Sequence, residues 1–289
     1  MKKTYQGWNF LLSRRWLGYY GMLVIFAIGC VLLSNWQFDR REEARQEISR
    51  IVTNYDQQPQ PLELVLPTAA SFNLDKHKWL PVEFRGEYVG QPALVRNRPG
   101  AGGTGSILVQ AFRTESGALI MIDRGWVALT VDQNGAADFS RAPVAQPGQK
   151  TTVVGRLRAS EPPVDGRTAT VNSVGSINAA ELAGVTGSGS DGLLHTTYAM
   201  LISENPESAH GTLPKKPDLD EGPHLSYALQ WVVFIGIAAV GAAYAARQEF
   251  RHFNRGSAKV AEMDAKKAAR KRRRGTTDAE EEDALLDDL

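Results

Sequence analysis

Hydrophobic and polar positions fall along this chain in two contrasting patterns. Two stretches, 16–38 and 222–246, are almost continuously apolar, over about the twenty residues that an α-helix needs to cross the hydrocarbon of a bilayer. Between them the period drops to two. Leu80, Val82, Phe84, Gly86 and Tyr88 alternate with Pro81, Glu83, Arg85, Glu87 and Val89, as in a strand with one buried face. Stretches 93–96, 106–113 and 118–123 repeat that composition with Gly-rich or Ser-Gly turns between them, and 151–157 and 196–202 are further strands. No alternation of strand and helix is visible here. The pattern therefore predicts an α+β membrane protein, with two transmembrane helices flanking an extracytoplasmic, mainly antiparallel, barrel-like β domain.

The connecting segments complete the outline. Stretch 39–51 is rich in charge and in strong helix formers, with Glu42, Glu43 and Glu47 spaced to meet Arg45, Gln46 and Arg50, so it extends the first helix outward until Pro59 and Pro61. Stretches 130–149 and 183–192 are dominated by small residues and read as excursions too poor in apolar surface to order themselves, and 203–222 as a polar connector. The resulting division is a cytoplasmic N-terminus 1–15, a membrane helix 16–38, an outer domain 39–223, a second membrane helix 224–246 and a disordered charged tail 247–289.

Charge sets the orientation. Lys2, Lys3, Arg14 and Arg15 precede the first apolar run and Arg247, Arg251, Arg255 and Lys259 follow the second, whereas the middle is slightly acidic. Positive flanks stay in the cytoplasm, which makes this a multi-pass cell-membrane protein with both termini inside and the central domain outside. Trp16, Tyr19, Tyr20, Trp36, Phe38, Tyr227 and Trp231 lie near the ends of the runs, where amphipathic rings settle at headgroup depth. The net charge of +1 offers no support for a nucleic-acid partner. The single cysteine, Cys30, excludes an intrachain disulfide and a cysteine metal site. The sequence before it, Ala27-Ile28-Gly29, partly matches a lipoprotein cleavage site, but the apolar run continues past Cys30 and is longer than a signal sequence requires.

The candidate chemistry is sparse. Stretch 100–105 has the letters of a dinucleotide-binding loop, but Ile107, Leu108 and Val109 continue it as strand where that loop needs a helix, so a hairpin turn is expected. Arg96, Arg98 and Arg124 are candidates for recognising an anionic group such as a propionate, or alternatively for a structural ion pair with Asp123. His77, His195 and His210 have no partners at ligand or triad spacing, and no nucleophile elbow, phosphate loop or metalloprotease helix is present, so a non-enzymatic role is expected. His224 differs. With Tyr227 and Trp231 it falls at i, i+3 and i+7 on one helix face at the outer membrane surface. A neutral imidazole there can ligate haem iron between aromatic and apolar surroundings, or it can serve only as an interfacial anchor. Farther along the second helix, Ala238, Ala239, Gly241, Ala242, Ala243, Ala245 and Ala246 are small residues whose spacing permits close approach of another helix. In the tail, 266–274 is basic and 278–289 acidic, a solvated self-neutralising segment or, alternatively, a clamp for anionic lipid.

Several of these residues carry a resemblance. Trp36-Gln37 with Arg40, Phe84 to Tyr88, Arg96-Asn97-Arg98, Asp123 to Val127, and His224 with Tyr227, Gln230 and Trp231 stand in the order and placement seen in the Surfeit locus protein 1 family of cytochrome c oxidase assembly factors, of bacterial, actinobacterial type. The chain resembles that family from about Trp16 to Ala246, although Pro223 stands where members commonly have Asn. The resemblance implies a chaperone-like protein that assists insertion of haem a into the core subunit of an aa3-type oxidase, or stabilises that subunit. It implies transient haem a as cofactor, His224 as candidate iron ligand, and the oxidase core subunit, haem a synthesis proteins and membrane lipid as partners. The alternative is a structural accessory subunit of a respiratory supercomplex without a cofactor.

Overall fold

The computed structural model describes residues 7–100, 102–131, 139–167 and 169–274. The chain divides into two compact units, one of Met1–Glu42 with Gly222–Leu289 and one of Glu43–Glu221. The acidic stretch 278–289 and most of 130–138 lie outside the described residues.

The first unit is a helix pair. A 3-10 turn, Asn9–Leu12, leads into α1, Arg14–Asn54, whose last turns belong to the second unit; α5, His224–Phe253, and α6, Ala258–Arg274, complete the unit. Both α1 and α5 are long and apolar enough to cross a membrane, and almost none of either apolar window is buried. That exposure is what a lipid-facing helix shows and a soluble core helix does not. The least exposed positions of α1 include Trp16, Leu23, Ala27, Cys30, Ser34 and Gln37, and those of α5 include His224, Ala228, Trp231, Ile235, Ala238, Ala242, Ala246 and Phe250. Steps of three, four or seven residues keep one seam in register along each helix. Of the small residues expected to allow close approach, Ala238, Ala242 and Ala246 fall on that seam while Ala239, Gly241, Ala243 and Ala245 are exposed, and Ser34 Oγ donates to the carbonyl oxygen of buried Ala228 at 3.1 Å. Trp16, expected near the headgroups, is buried against Phe10 and Phe250.

The second unit is built on one long strand. In chain order its elements are β1 (Gln60–Pro61), α2 (Leu62–Val65), α3 (Leu74–His77), β2 (Pro81–Gly100), β3 (Gly103–Thr114), β4 (Leu119–Val127), β5 (Lys150–Ala159), β6 (Ser173–Val174), α4 (Ala179–Thr186) and β7 (Thr197–Asn205). The stretches read separately as 79–89 and 93–96 are a single strand, β2, with register shifts between Val89 and Ala93 and between Val95 and Arg98. Gly90 makes this continuity possible, with φ +69 and the Thr186 carbonyl oxygen only 2.5 Å from where a Cβ would stand.

β2 pairs antiparallel with β3 and, through its first half, with β5. β3 pairs with β4 and β5 with β7, both antiparallel. The sheet is mixed and is not a clear barrel: β4 meets β7 in parallel through only Ile122↔Ala199 and Asp123↔Met200, and β1 and β6 add parallel edges to β2. "Mainly antiparallel" holds; in place of a clear barrel the mixed sheet curls from β2 through β3, β4 and β7 to β5, which pairs with β2 again, the β4–β7 step being only two residues long.

Both faces of that sheet are covered, so its central strands are buried on both sides. One face packs Val82, Phe84, Tyr88, Phe112, Ile122 and Leu157 together. The other packs Val95, Val109, Met121 and Tyr198 against α4 and against Ile51 and Tyr55 at the end of α1. Stretch 183–192 therefore does not behave as an unordered excursion throughout. Asn178 caps α4 by accepting from the backbone N–H groups of Ala180 and Glu181, Gly187 ends it in the left-handed conformation, and Leu182 and Ala183 are buried. The tail also differs from its expected disorder, since α6 occupies its first part.

Candidate functional site

His224 is the first residue of α5, and Pro223 precedes it as the N-cap without a side-chain capping bond. The half-buried imidazole faces α1, where its Nδ1 lies 2.9 Å from Gln37 Oε1. An amide oxygen only accepts, so Nδ1 carries the proton and donates. With the ring in its neutral form the lone pair is then on Nε2, the atom that can bind a metal, and its orientation is set by the partner on the other nitrogen. Gly222, at φ +72, places no side chain beside that edge; a Cβ there would sit 3.5 Å from Nε2. Tyr227 is exposed on the following turn, and Trp231 is half-buried with its ring edge-on to Phe234 at 5.6 Å. The helix thus keeps the three predicted residues near one end, with Trp231 toward the seam and Tyr227 outward. Nothing in the sequence around Gln37, beyond the Trp36-Gln37 pair itself, points to this contact with a residue 187 positions away.

The three arginines separate in the second unit. Arg124 is fully buried. Its Nη1 and Nη2 each lie 2.9 Å from a Glu204 carboxylate oxygen, and Nη2 also donates to Ser208 Oγ at 2.9 Å and the Ala209 carbonyl at 2.7 Å. Tyr88 Oη accepts from Arg124 and donates to Glu204 Oε2 at 2.7 Å. Burial pushes the Glu204 carboxyl up, but the bonds from Arg124, Ser208 and Tyr88 outweigh it and hold the group below the usual carboxylate range. Burial likewise drives the Tyr88 phenol well above its ordinary value. This is the ion pair foreseen for Arg124, made with Glu204 and not with its neighbour Asp123. A partner eighty residues away has no local signature in sequence.

Arg98 and Asp123 come together elsewhere, at a cleft of about 330 Å³ lined also by Ile107, Trp126, Leu213 and Lys215. Arg98 pairs with Glu161. Asp123 accepts from the backbone N–H of Gly125 at 2.8 Å, and burial pushes its carboxyl up to about 6 against the opposing effects of Gly125, Arg158 and Arg98. Arg96 is half-buried on the same strand, before Asn97 at φ 58. Trp126 explains the glycine run. Its indole lies on the β2–β3 hairpin and donates to the Arg98 carbonyl at 2.9 Å, and a Cβ at Gly100 or Gly105 would come within 2.3 Å of the ring or 2.4 Å of the Val127 carbonyl oxygen. With Gly100 paired to Gly103, the run is a hairpin turn and no dinucleotide loop.

Among the described residues no group of three or more His, Cys, Asp and Glu side chains could hold a metal ion. His224 could act only as a single protein ligand to a metal already held by a macrocycle, and its Nδ1–H bond to Gln37 fits that use.

These features define a class: a pair of membrane-length helices linked to a mixed β domain, with an oriented histidine at the start of the second helix. The SURF1 family profile matches residues 24–236. Uncharacterized SURF1-like proteins of Mycobacterium bovis and Mycobacterium tuberculosis are 33% identical to the chain over 248 residues, covering 84% of it and 87% of theirs. The chain belongs to the SURF1 family, known generally as cytochrome oxidase assembly factors and not as catalysts.

Proposed function

We propose that this protein assists insertion of haem a into the core subunit of an aa3-type cytochrome c oxidase, or stabilises that subunit while it is filled. It does so as a multi-pass cell-membrane protein with both termini in the cytoplasm and the β domain outside. The observation that carries this reading is the 2.9 Å contact from His224 Nδ1 to Gln37 Oε1, which leaves Nε2 as a ligand atom. His224 would hold the haem iron, with Tyr227 and Trp231 flanking it, and Arg98 and Arg96, on the β domain, would recognise anionic groups on the partner. Haem a supplies the electron-transfer and oxygen chemistry of the finished oxidase; this chain's contribution is to hold and orient. Oxidase core subunit, haem a synthesis proteins and lipid are the partners this role requires.

The test has two stages. In membranes from a strain lacking the gene, the reduced-minus-oxidised spectrum should lose the haem a signal selectively while b- and c-type signals persist. Protein purified in mild detergent should then carry haem, and His224→Ala should release it. An unchanged haem a signal in the deletion strain refutes the assembly role. An unchanged spectrum in His224→Ala refutes the ligand assignment and favours a cofactor-free accessory.

A further inference from the structure

The family match stops at residue 236, yet beyond it the helix pair closes into a folded end. The 3-10 turn, the start of α1, the last turns of α5 and the first turns of α6 gather around buried Phe10, Trp16, Phe250 and Val260, with Met263 packed on them. Trp8 stacks on Phe250 at 4.2 Å. Asn254 fastens the N-terminal segment, accepting from Gly7 N at 2.9 Å and donating to Gly7 O at 3.2 Å. Glu249 accepts from Trp16 Nε1 at 3.0 Å and pairs with Arg15.

A cavity of about 920 Å³ opens in this end, lined by Arg15, Glu249, Arg251, His252, Arg255 and Asp264 among others. Three guanidinium groups meet two carboxylates there. Arg15 takes Glu249 and Arg251 takes Asp264; Arg255 has no ion-pair partner among the described residues. The adjoining α6 reads AKVAEMDAKKAARKRRR, eight cations against two acids. Lys259, Lys266 and Arg270 are exposed and recur at i, i+7 and i+11, on one helix face. In the same folded end Leu12 is 79% exposed, Trp8 41% and Phe253, which lines the cavity, 39%. Cations bordered by exposed apolar side chains suit the boundary between headgroups and acyl chains, whereas a soluble acid or a nucleic acid would leave Leu12 and Trp8 in water.

We infer that this end is a binding site for anionic phospholipid, the phosphate seated in the cavity at Arg251 and Arg255 and α6 lying along the headgroup layer. The inference rests on the reading that α1 and α5 span a membrane. It adds a lipid site outside the family-matched region. Each basic residue at an anionic surface strengthens binding about fivefold, so neutralising three should weaken it on the order of a hundredfold.

The test uses the full chain in neutral detergent, titrated with fluorescent phosphatidylglycerol and, separately, phosphatidylcholine. Phosphatidylglycerol should bind at least about tenfold more tightly at low salt, with the preference shrinking in high salt. Lys266→Gln/Lys267→Gln/Arg270→Gln, at exposed positions that leave the packed cluster intact, and Arg251→Gln/Arg255→Gln should each remove most of that preference. Equal affinity for the two lipids, or unchanged affinity in both variants, overturns the inference. Full competition by millimolar glycerol phosphate would mark a soluble-phosphate site and overturn the lipid assignment. Carbonate extraction of the same protein from vesicles tests the membrane reading by itself: a chain that is extracted does not span, whatever lipid it prefers in detergent.

Discussion

Replacing Arg124 by Met would test what holds the β domain together. The guanidinium has 0% side-chain exposure and its partner Glu204 1%, so Met fills much of the volume but leaves a carboxylate without its counter-ion, and Tyr88 and Ser208 without part of their network. Removing one member of a buried pair costs about 3–5 kcal/mol, which for a domain of this size lowers Tm by roughly 6 to 20 °C. Thermal unfolding of the full chain in detergent, followed by tryptophan fluorescence, measures the loss. The pH dependence provides the sharper check. In the native protein Glu204 lies below its unfolded value, so its contribution is complete above the unfolded pKa and is lost as pH falls through the folded one. In Arg124→Met only burial and the weaker bonds remain, the carboxyl rises, and the variant should gain stability as pH drops from neutral toward about 5. Adding Glu204→Gln should recover part of the loss and abolish that gain. A Tm lowered by less than about 2 °C, or a loss equal at about pH 5 and pH 8, would refute the argument that an uncompensated buried charge is responsible.

Three further outcomes are expected. Gly100→Ala and Gly105→Ala each force a methyl into the Trp126 ring or the Val127 carbonyl and should cost about 1–3 kcal/mol in the same unfolding assay. Asp123, pushed up to about 6 from an ordinary value near 3.8, binds its proton more tightly in the folded state, so its ionisation makes the protein less stable as pH rises from about 4 to 6, opposite to Glu204; Asp123→Asn should remove that slope in unfolding curves taken across the range. Gln37→Leu keeps His224 but removes the acceptor that orients it, and should weaken haem retention in purified protein about 10- to 100-fold, with retention rescued by Gln37→Asn only if the shorter amide still reaches.

Much of the candidate site was legible because its markers are local. His224, Tyr227 and Trp231 share a helix turn or two, and the apolar run around them announces itself by length. Gln37 was visible only as part of a dipeptide, because what makes it matter is a contact across 187 residues. Arg124 was visible as a charge beside an aromatic, but whether it faces an external anion or Glu204 depends on β4 and β7 lying side by side. Arg98 and Asp123 share a cleft for a similar reason, since β2, β4 and the connector at Leu213 converge there.

The chain's own order of residues determined the two membrane-length helices, the main strands, the hairpin at the glycine run and the basic stretch of α6. Each depends on periodicity, length or turn chemistry within a few residues. Tertiary structure alone decided that α4 is a packed helix, that β2 runs unbroken through Gly90, that the sheet is mixed, and that Trp16 turns inward. Short segments such as Ala179–Thr186 gain their stability from the apolar face they cover, and that face exists only once distant strands have paired.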